Sequence, residues 1–164
     1  PGNGFDTYEQ QDRVLVGMSS SLGARMAVRI LQQQGFAVAG AVVRLTPEEE
    51  PDVQAAKQAA EALGIECLTL NAEALAAQDP TDARLSALLT AADKLGIQYV
   101  ATGHFARVET GADGLSHIFP HSDADADESD ALAVLPQEIL SRLILPLGEF
   151  SPADLAEMAE EFKA

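Results

Sequence analysis

Arg13-Val14-Leu15-Val16-Gly17-Met18-Ser19-Ser20-Ser21-Leu22-Gly23-Ala24 passes from an unbroken apolar run, through a small polar turn, into a segment of helical periodicity. An aliphatic run with no alternating polar position suits a strand covered on both faces, as in a parallel sheet flanked by helices. After the serines, Leu22, Met26, Ile30 and Leu31 recur at helical spacing, and Gly35 supplies a stop. The stretch therefore predicts a strand over 13–18, a turn at Ser19, Ser20 and Ser21, and a helix from about Leu22.

Outward from this stretch the same alternation repeats. Strand signals over 36–43, 65–70 and 97–101 enclose helical signals over 52–63 and 82–95, the two helices closed by Gly64 and Gly96. Strands and helices joined by such short connections form right-handed βαβ units. The expected fold class is α/β: an open, Rossmann-like parallel sheet of about five strands with helices on both faces, the 14–18 strand central. Over 108–130 the pattern dissolves into Gly, Asp, Ser and Pro around His117-Ile118-Phe119, an irregular surface excursion with room for a short hairpin. Helical signals return over 136–145. Ser151-Pro152-Ala153-Asp154 then combines an N-cap serine, a proline at the first helical position and an acid two residues on, opening a last helix through 162. Residues 1–12 read as a flexible lead-in, and 13–164 as a single domain.

Charge and composition narrow the function classes. Against 26 Asp and Glu stand 10 Lys and Arg, a formal net charge of -16, which opposes a phosphate backbone. Binding of tRNA by this chain alone is not expected. No apolar run reaches the roughly 20 residues that span a bilayer, so no membrane partner is expected and a cytoplasmic location is. The one cysteine, Cys67, excludes an internal disulfide or a CxxC pair. Within Ile65-Glu66-Cys67-Leu68 it reads as a small buried hydrophobe of a central strand. Asp123, Asp125 and Asp127 alternate like the opening ligands of a calcium loop, but Glu128 stands where glycine is needed and Val134 at the closing position. A solvated acidic loop and no metal are expected. His117 and His121 straddle Phe119-Pro120 and read as surface histidines.

In an open parallel sheet the ligand crevice lies beyond the carboxyl ends of the strands. The candidate site is therefore Gly17, Met18, Ser19, Ser20 and Ser21 of the first turn, Val43 at the end of the second strand, and Gly103 and His104 after the fourth. His104 reads equally as a site residue and as a hydrogen-bonded structural histidine. Three hydroxyls at a helix N-terminus favour an anion, or they simply cap the helix.

The motifs in this frame resemble the N-terminal ATP-pyrophosphatase (PP-loop) domain of tRNA-specific 2-thiouridylases, of adenine nucleotide alpha hydrolase-like (HUP) fold. Gly17-Met18-Ser19-Ser20-Ser21-Leu22-Gly23-Ala24 stands where that family carries Gly-Met-Ser-Gly-Gly-Val-Asp-Ser. Ala101-Thr102-Gly103-His104-Phe105-Ala106-Arg107 is similar to its Ala-Thr-Gly-His-Tyr-Ala-Arg, and Gln137-Glu138-Ile139-Leu140-Ser141-Arg142-Leu143 with Leu145-Pro146-Leu147-Gly148-Glu149 to a later pair of motifs. The resemblance covers most of 13–162. It implies an adenine nucleotide, AMP or ATP, as ligand.

The departures bear on the chemistry. Both loop glycines are serines, Ser20 and Ser21, and the loop's aspartate and serine fall on Gly23 and Ala24, which removes an acid for magnesium. Asp79-Pro80-Thr81-Asp82-Ala83-Arg84 runs at once into Leu85-Ser86-Ala87-Leu88-Leu89, without the cysteine that the family places between the matching segments. A threonine hydroxyl cannot replace a thiolate in persulfide chemistry. The family's tRNA-contacting Lys-Asp-Gln falls on Ala126-Asp127-Glu128, and its later tRNA-binding domain and β-barrel are expected to be absent. The expectation is a degenerate thiouridylase-like domain with no catalytic residues, holding an adenine nucleotide weakly or serving a sulfur-relay or tRNA-modification partner. Adenosine would lie between Val43 and an open space at Gly103, with phosphates meeting only the three serines. The alternatives are a tRNA thiolation enzyme or subunit completed in trans, and an interaction protein with a vestigial crevice.

Overall fold

A computed structural model describes residues 12–162. The lead-in expected over 1–12 lies outside the described residues except for Asp12, whose carbonyl accepts a hydrogen bond from Ala37 N–H at 2.8 Å.

Five parallel strands make the main sheet. β1 (Arg13–Gly17) is central and pairs with β2 (Ala37–Arg44) on one side and β4 (Tyr99–Ala101) on the other, while β3 (Cys67–Asn71) and β7 (Leu143–Ile144) form the edges. Val14, Leu15 and Val16 are fully buried, and alternation divides them between the faces. Val14 and Val16 pack with α1 (Leu22–Gln33) and α2 (Glu50–Ala62), and Leu15 with α3 (Pro80–Leu95). Each such side chain contributes about 1.5–3 kcal/mol by leaving water. This two-sided burial is why the central run contains no polar residue.

The helix ends follow local chemistry. Ser21 Oγ accepts from Ala24 N–H (3.1 Å) and caps α1. α3 starts at Pro80, two residues before the expected boundary, because Asp79 caps it by accepting from Asp82 N–H at 3.1 Å. It ends on Gly96, whose left-handed φ of 70° lets Ile97 N–H bond back to Ala92 O (2.8 Å). In α6 (Pro152–Phe162), Ser151 and Asp154 cap one another reciprocally, at 2.9 and 3.1 Å.

The excursion holds an antiparallel hairpin, β5 (Arg107–Thr110) with β6 (Ser116–Phe119), followed by the short helix α4 (Ser129–Leu132). The 136–145 stretch is not one helix. α5 (Gln137–Leu140) occupies its first half, and the chain then straightens into β7, where Leu143 pairs with Val100. Arg142 fixes that change of course, donating to Ile97 O (2.9 Å) and Gln98 O (2.7 Å) and pairing with Asp93. Gln137 exchanges two hydrogen bonds with the Ser116 backbone. These two motif residues therefore hold the fold together at a distance from the crevice.

Cys67 and His121 also depart from the sequence reading. Cys67 opens an edge strand rather than a central one and is only half-buried, because β3 has a neighbour on one side alone. His121 is 5% exposed and not a surface residue. Its Nε2 lies 3.0 Å from Leu147 O and 2.8 Å from Phe150 O, its Nδ1 accepts from Asp123 N–H (2.9 Å), and Phe105 meets the ring edge-on. A histidine can serve both carbonyls and an amide at once, so it fastens the excursion to the segment before α6. The acidic loop is correspondingly organised. Asp127 accepts from His121 N–H, Ser129 Oγ–H and Ser129 N–H, and these donors hold its carboxyl below the ordinary carboxylate range. His117 is exposed, beside Asp113, as the sequence predicts.

Candidate functional site

The turn after β1 places its backbone where the strand order allows a crevice. Met18 N–H donates to Ala41 O (2.8 Å), the last cross-strand bond before β1 and β2 separate. Ser19 Oγ and Ser21 Oγ share a hydrogen bond of 2.8 Å, and Ser21 N–H donates to Ser19 Oγ at 3.2 Å. With Ser21 Oγ also capping Ala24, the serines satisfy one another and the start of α1. Ser20 is exposed, and its carbonyl accepts from Arg25 Nε–H (3.3 Å).

A cavity of about 360 Å³ opens beyond the carboxyl ends of β1 and β4, within the roughly 300–1,000 Å³ range of small-ligand clefts. Seven of the eight predicted residues line it: Gly17, Met18, Ser19, Ser21, Val43, Gly103 and His104. Ser20 lines instead a neighbouring cavity of about 270 Å³, together with Glu49 and Asp52. Met18, Ser19, Val43 and Arg84 belong to both.

Gly103 does not provide open space. A Cβ there would stand 2.7 Å from Ala24 N and from the Gly23 carbonyl carbon, so glycine lets the loop after β4 lie directly on the start of α1. The contact is mutual, since a Cβ on Gly23 would meet Gly103 O at 3.0 Å and Leu147 at 3.3 Å. An aspartate at position 23 would bring its side chain against a carbonyl oxygen. Among the described residues no group of three or more His, Cys, Asp or Glu is placed to hold a metal ion.

Among the lining residues that sequence reasoning missed are three charged ones. Arg84, from α3, donates to Val43 O at 2.8 Å and forms an ion pair with Glu49. Glu49 is pushed up by burial, but the hydrogen bonds from Arg84 and from Leu45 N–H outweigh that and hold it below the ordinary range. Glu128 lines the main cavity, accepting from Phe105 N–H (2.8 Å) while its own N–H donates to Phe105 O. Nothing in the spacing of these residues marks them, because each reaches the crevice from a different element.

His104 is held by Thr102, whose Oγ1 lies 2.6 Å from His104 Nδ1. Burial pushes the imidazole below its ordinary 6.5, and the Glu128 carboxylate offsets only part of that. The neutral ring is thus the resident form at neutral pH. Because the folded value is the lower one, the unfolded chain takes up the proton first as pH falls. Stability from His104 is complete above 6.5 and declines below it. Denaturant unfolding followed from about pH 7.5 to about pH 5 should show a fall that His104→Gln flattens; an equal fall in the variant would contradict this assignment.

Comparison with known proteins agrees with this fold. A family model described as the tRNA methyl transferase HUP domain matches residues 80–164, just over half of the chain. A tRNA-specific 2-thiouridylase MnmA of Geobacter metallireducens is 28% identical over 95% of this chain and 52% of its own length, and an MnmA 2 of Phocaeicola vulgatus is 31% identical over 93% and 50%. The chain spans about half the length of the curated relatives it matches. Among solved structures, a predicted subunit of tRNA methyltransferase from Methanocaldococcus jannaschii superposes with TM-score 0.51 at 16% identity, covering 92% of this chain and 75% of that one. PH1313 from Pyrococcus horikoshii gives 0.52 at 10% identity, covering 93% and 42%. At those identities the structures bear on the fold, which they share. With the parallel sheet and its crevice already in place, these matches establish that the chain belongs to the tRNA methyl transferase HUP domain family, as a relative of the tRNA-specific 2-thiouridylases.

Proposed function

We propose that this chain is a non-catalytic, cytoplasmic member of its tRNA-modification family that holds adenosine or AMP weakly in the crevice and acts as a nucleotide- or partner-binding module. The observation that carries the reading is the Gly23 contact with Gly103: the crevice stands open beside it, while a side chain at position 23, where the resemblance places the loop acid, would press on Gly103 O at 3.0 Å.

The wall of the cavity suits a nucleoside. Met18, Val43, Leu85 and Leu88 offer apolar surface, and Thr102 with His104 adds polar atoms at one end. A triphosphate fits less well. Ser21 N–H and Ala24 N–H, two backbone donors of the turn, are already bonded to serine hydroxyls. No acid stands in the turn itself to hold a magnesium ion beside the serines. Each added phosphate would bring charge toward a protein of net charge -16 in which, among the described residues, Arg84 is the only permanent cation lining the cavity.

Sulfur transfer lacks its nucleophile within this segment. Asp79 caps α3 directly, so no cysteine-bearing stretch separates Pro80 from the helix. Cys67 lines neither cavity, stands two strands from β1, and burial pushes its thiol up, away from the reactive thiolate. A sulfur-relay or tRNA-modification protein is the partner class this reading favours.

Two measurements test the reading. Calorimetry at fixed salt should rank adenosine and AMP above ATP, and ATP binding tighter than AMP would reverse it; no binding by any of the three favours a vestigial crevice. Purified chain supplied with ATP, a sulfur donor and tRNA should form no 2-thiouridine above a no-protein control. Sulfur incorporation would return the chain to the enzymes.

A further inference from the structure

β2 outruns β1 at the crevice, and its last residues have lost their neighbour on that side. On the opposite side β2 is still paired, with Arg44 O accepting from Ala72 N–H at 2.9 Å. Backbone groups alternate sides along an extended strand, so Val43 and Leu45 direct theirs toward the crevice. A carbonyl and an N–H two residues apart on one edge form an acceptor beside a donor. Adenine presents the complement, an amino donor beside a ring-nitrogen acceptor.

In this chain both groups are taken by its own side chains. Val43 O accepts from Arg84 Nη1–H (2.8 Å), and Leu45 N–H donates to Glu49 Oε1 (2.7 Å). Arg84 Nη2 and Glu49 Oε2 then pair with each other and close the ring. Its members come from three places: the end of β2, the 3-10 turn Pro47–Glu49 and helix α3. Arg84 and Val43 line both cavities and Glu49 the second, so the ion pair stands where the two cavities adjoin. The two side chains remain 41% and 23% exposed, and an ion pair so wetted is weakly held.

We infer that Arg84 and Glu49 form a clasp that occupies the base subsite of this crevice, so that a nucleoside reaches Val43 O and Leu45 N–H only when the pair opens. The inference rests on the nucleoside reading above. The clasp accounts for both the separation of the two cavities at Arg84 and the weakness expected of the site. It also sets the effect of salt. Adenosine carries no charge, so ionic strength acts on its binding through the ion pair, and salt that loosens the pair favours the ligand.

The test measures adenosine binding to the wild-type chain, Arg84→Met and Glu49→Gln, with folding of each checked by circular dichroism and thermal unfolding. Asp93→Asn, which breaks the distant pair with Arg142, serves as the control. Arg84→Met should bind adenosine about 3- to 10-fold tighter, the gain of one neutral hydrogen bond, and Glu49→Gln should follow in the same direction. Raising salt should tighten adenosine binding to the wild-type chain and leave Arg84→Met unchanged. Variants that bind no tighter than a wild-type chain that does bind would overturn the clasp and leave the nucleoside crevice standing. Absence of binding in all chains, folded variants included, would overturn both. Binding confined to the variants would establish the clasp as complete closure.

Discussion

The close approach of two backbones, Gly103 against Gly23 and Ala24, governs the geometry of this molecule at its functional end. A parallel sheet sets β1 and β4 side by side, but their register alone leaves open how near the loop after β4 comes to the helix after β1. Here the two meet without an intervening side chain, which seats the start of α1 directly on Gly103. A side chain at position 23 would press on Gly103 O and Leu147, at 3.0 and 3.3 Å from its Cβ. The same few atoms set the floor of the crevice beside the serine turn.

Much of the fold is legible in the sequence because burial leaves a direct trace. Val14-Leu15-Val16 had to be apolar throughout, since each residue faces one of two helical layers. Gly96 and Asp79 mark helix ends through conformations and hydrogen bonds that few other residues supply. Cys67 was harder, because strand order decides whether a strand is central, and the order of a sheet is not written in any one strand. His121 misled because its burial depends on carbonyls at Leu147 and Phe150, far along the chain. The 136–145 stretch carried helical residues, yet the Arg142 hydrogen bonds draw its second half into the sheet.

The site divides in the same way. Residues on the strand ends, such as Met18, Val43 and His104, follow from the α/β architecture, which brings every carboxyl end of the sheet to one edge. Arg84, Glu49 and Glu128 reach that edge from helices and loops, and only their side-chain directions reveal it. Motif matches are not equally informative either. Gln137 and Arg142 are as recognisable as Gly103 and His104, but they brace the hairpin and β7 and touch neither cavity.

The crevice beyond the carboxyl ends of the sheet makes ligand binding the property to look for. The acidic surface and the self-satisfied serine turn act against a highly charged ligand and spare a neutral one. The most direct measurement is a map of backbone amide shifts in the labelled chain during titration with adenosine. Shifts concentrated at Met18, Ser19, Val43, Leu45, Gly103 and His104 are the predicted result. Shifts spread over the exposed surface, or centred on the hairpin, would contradict a retained nucleoside crevice.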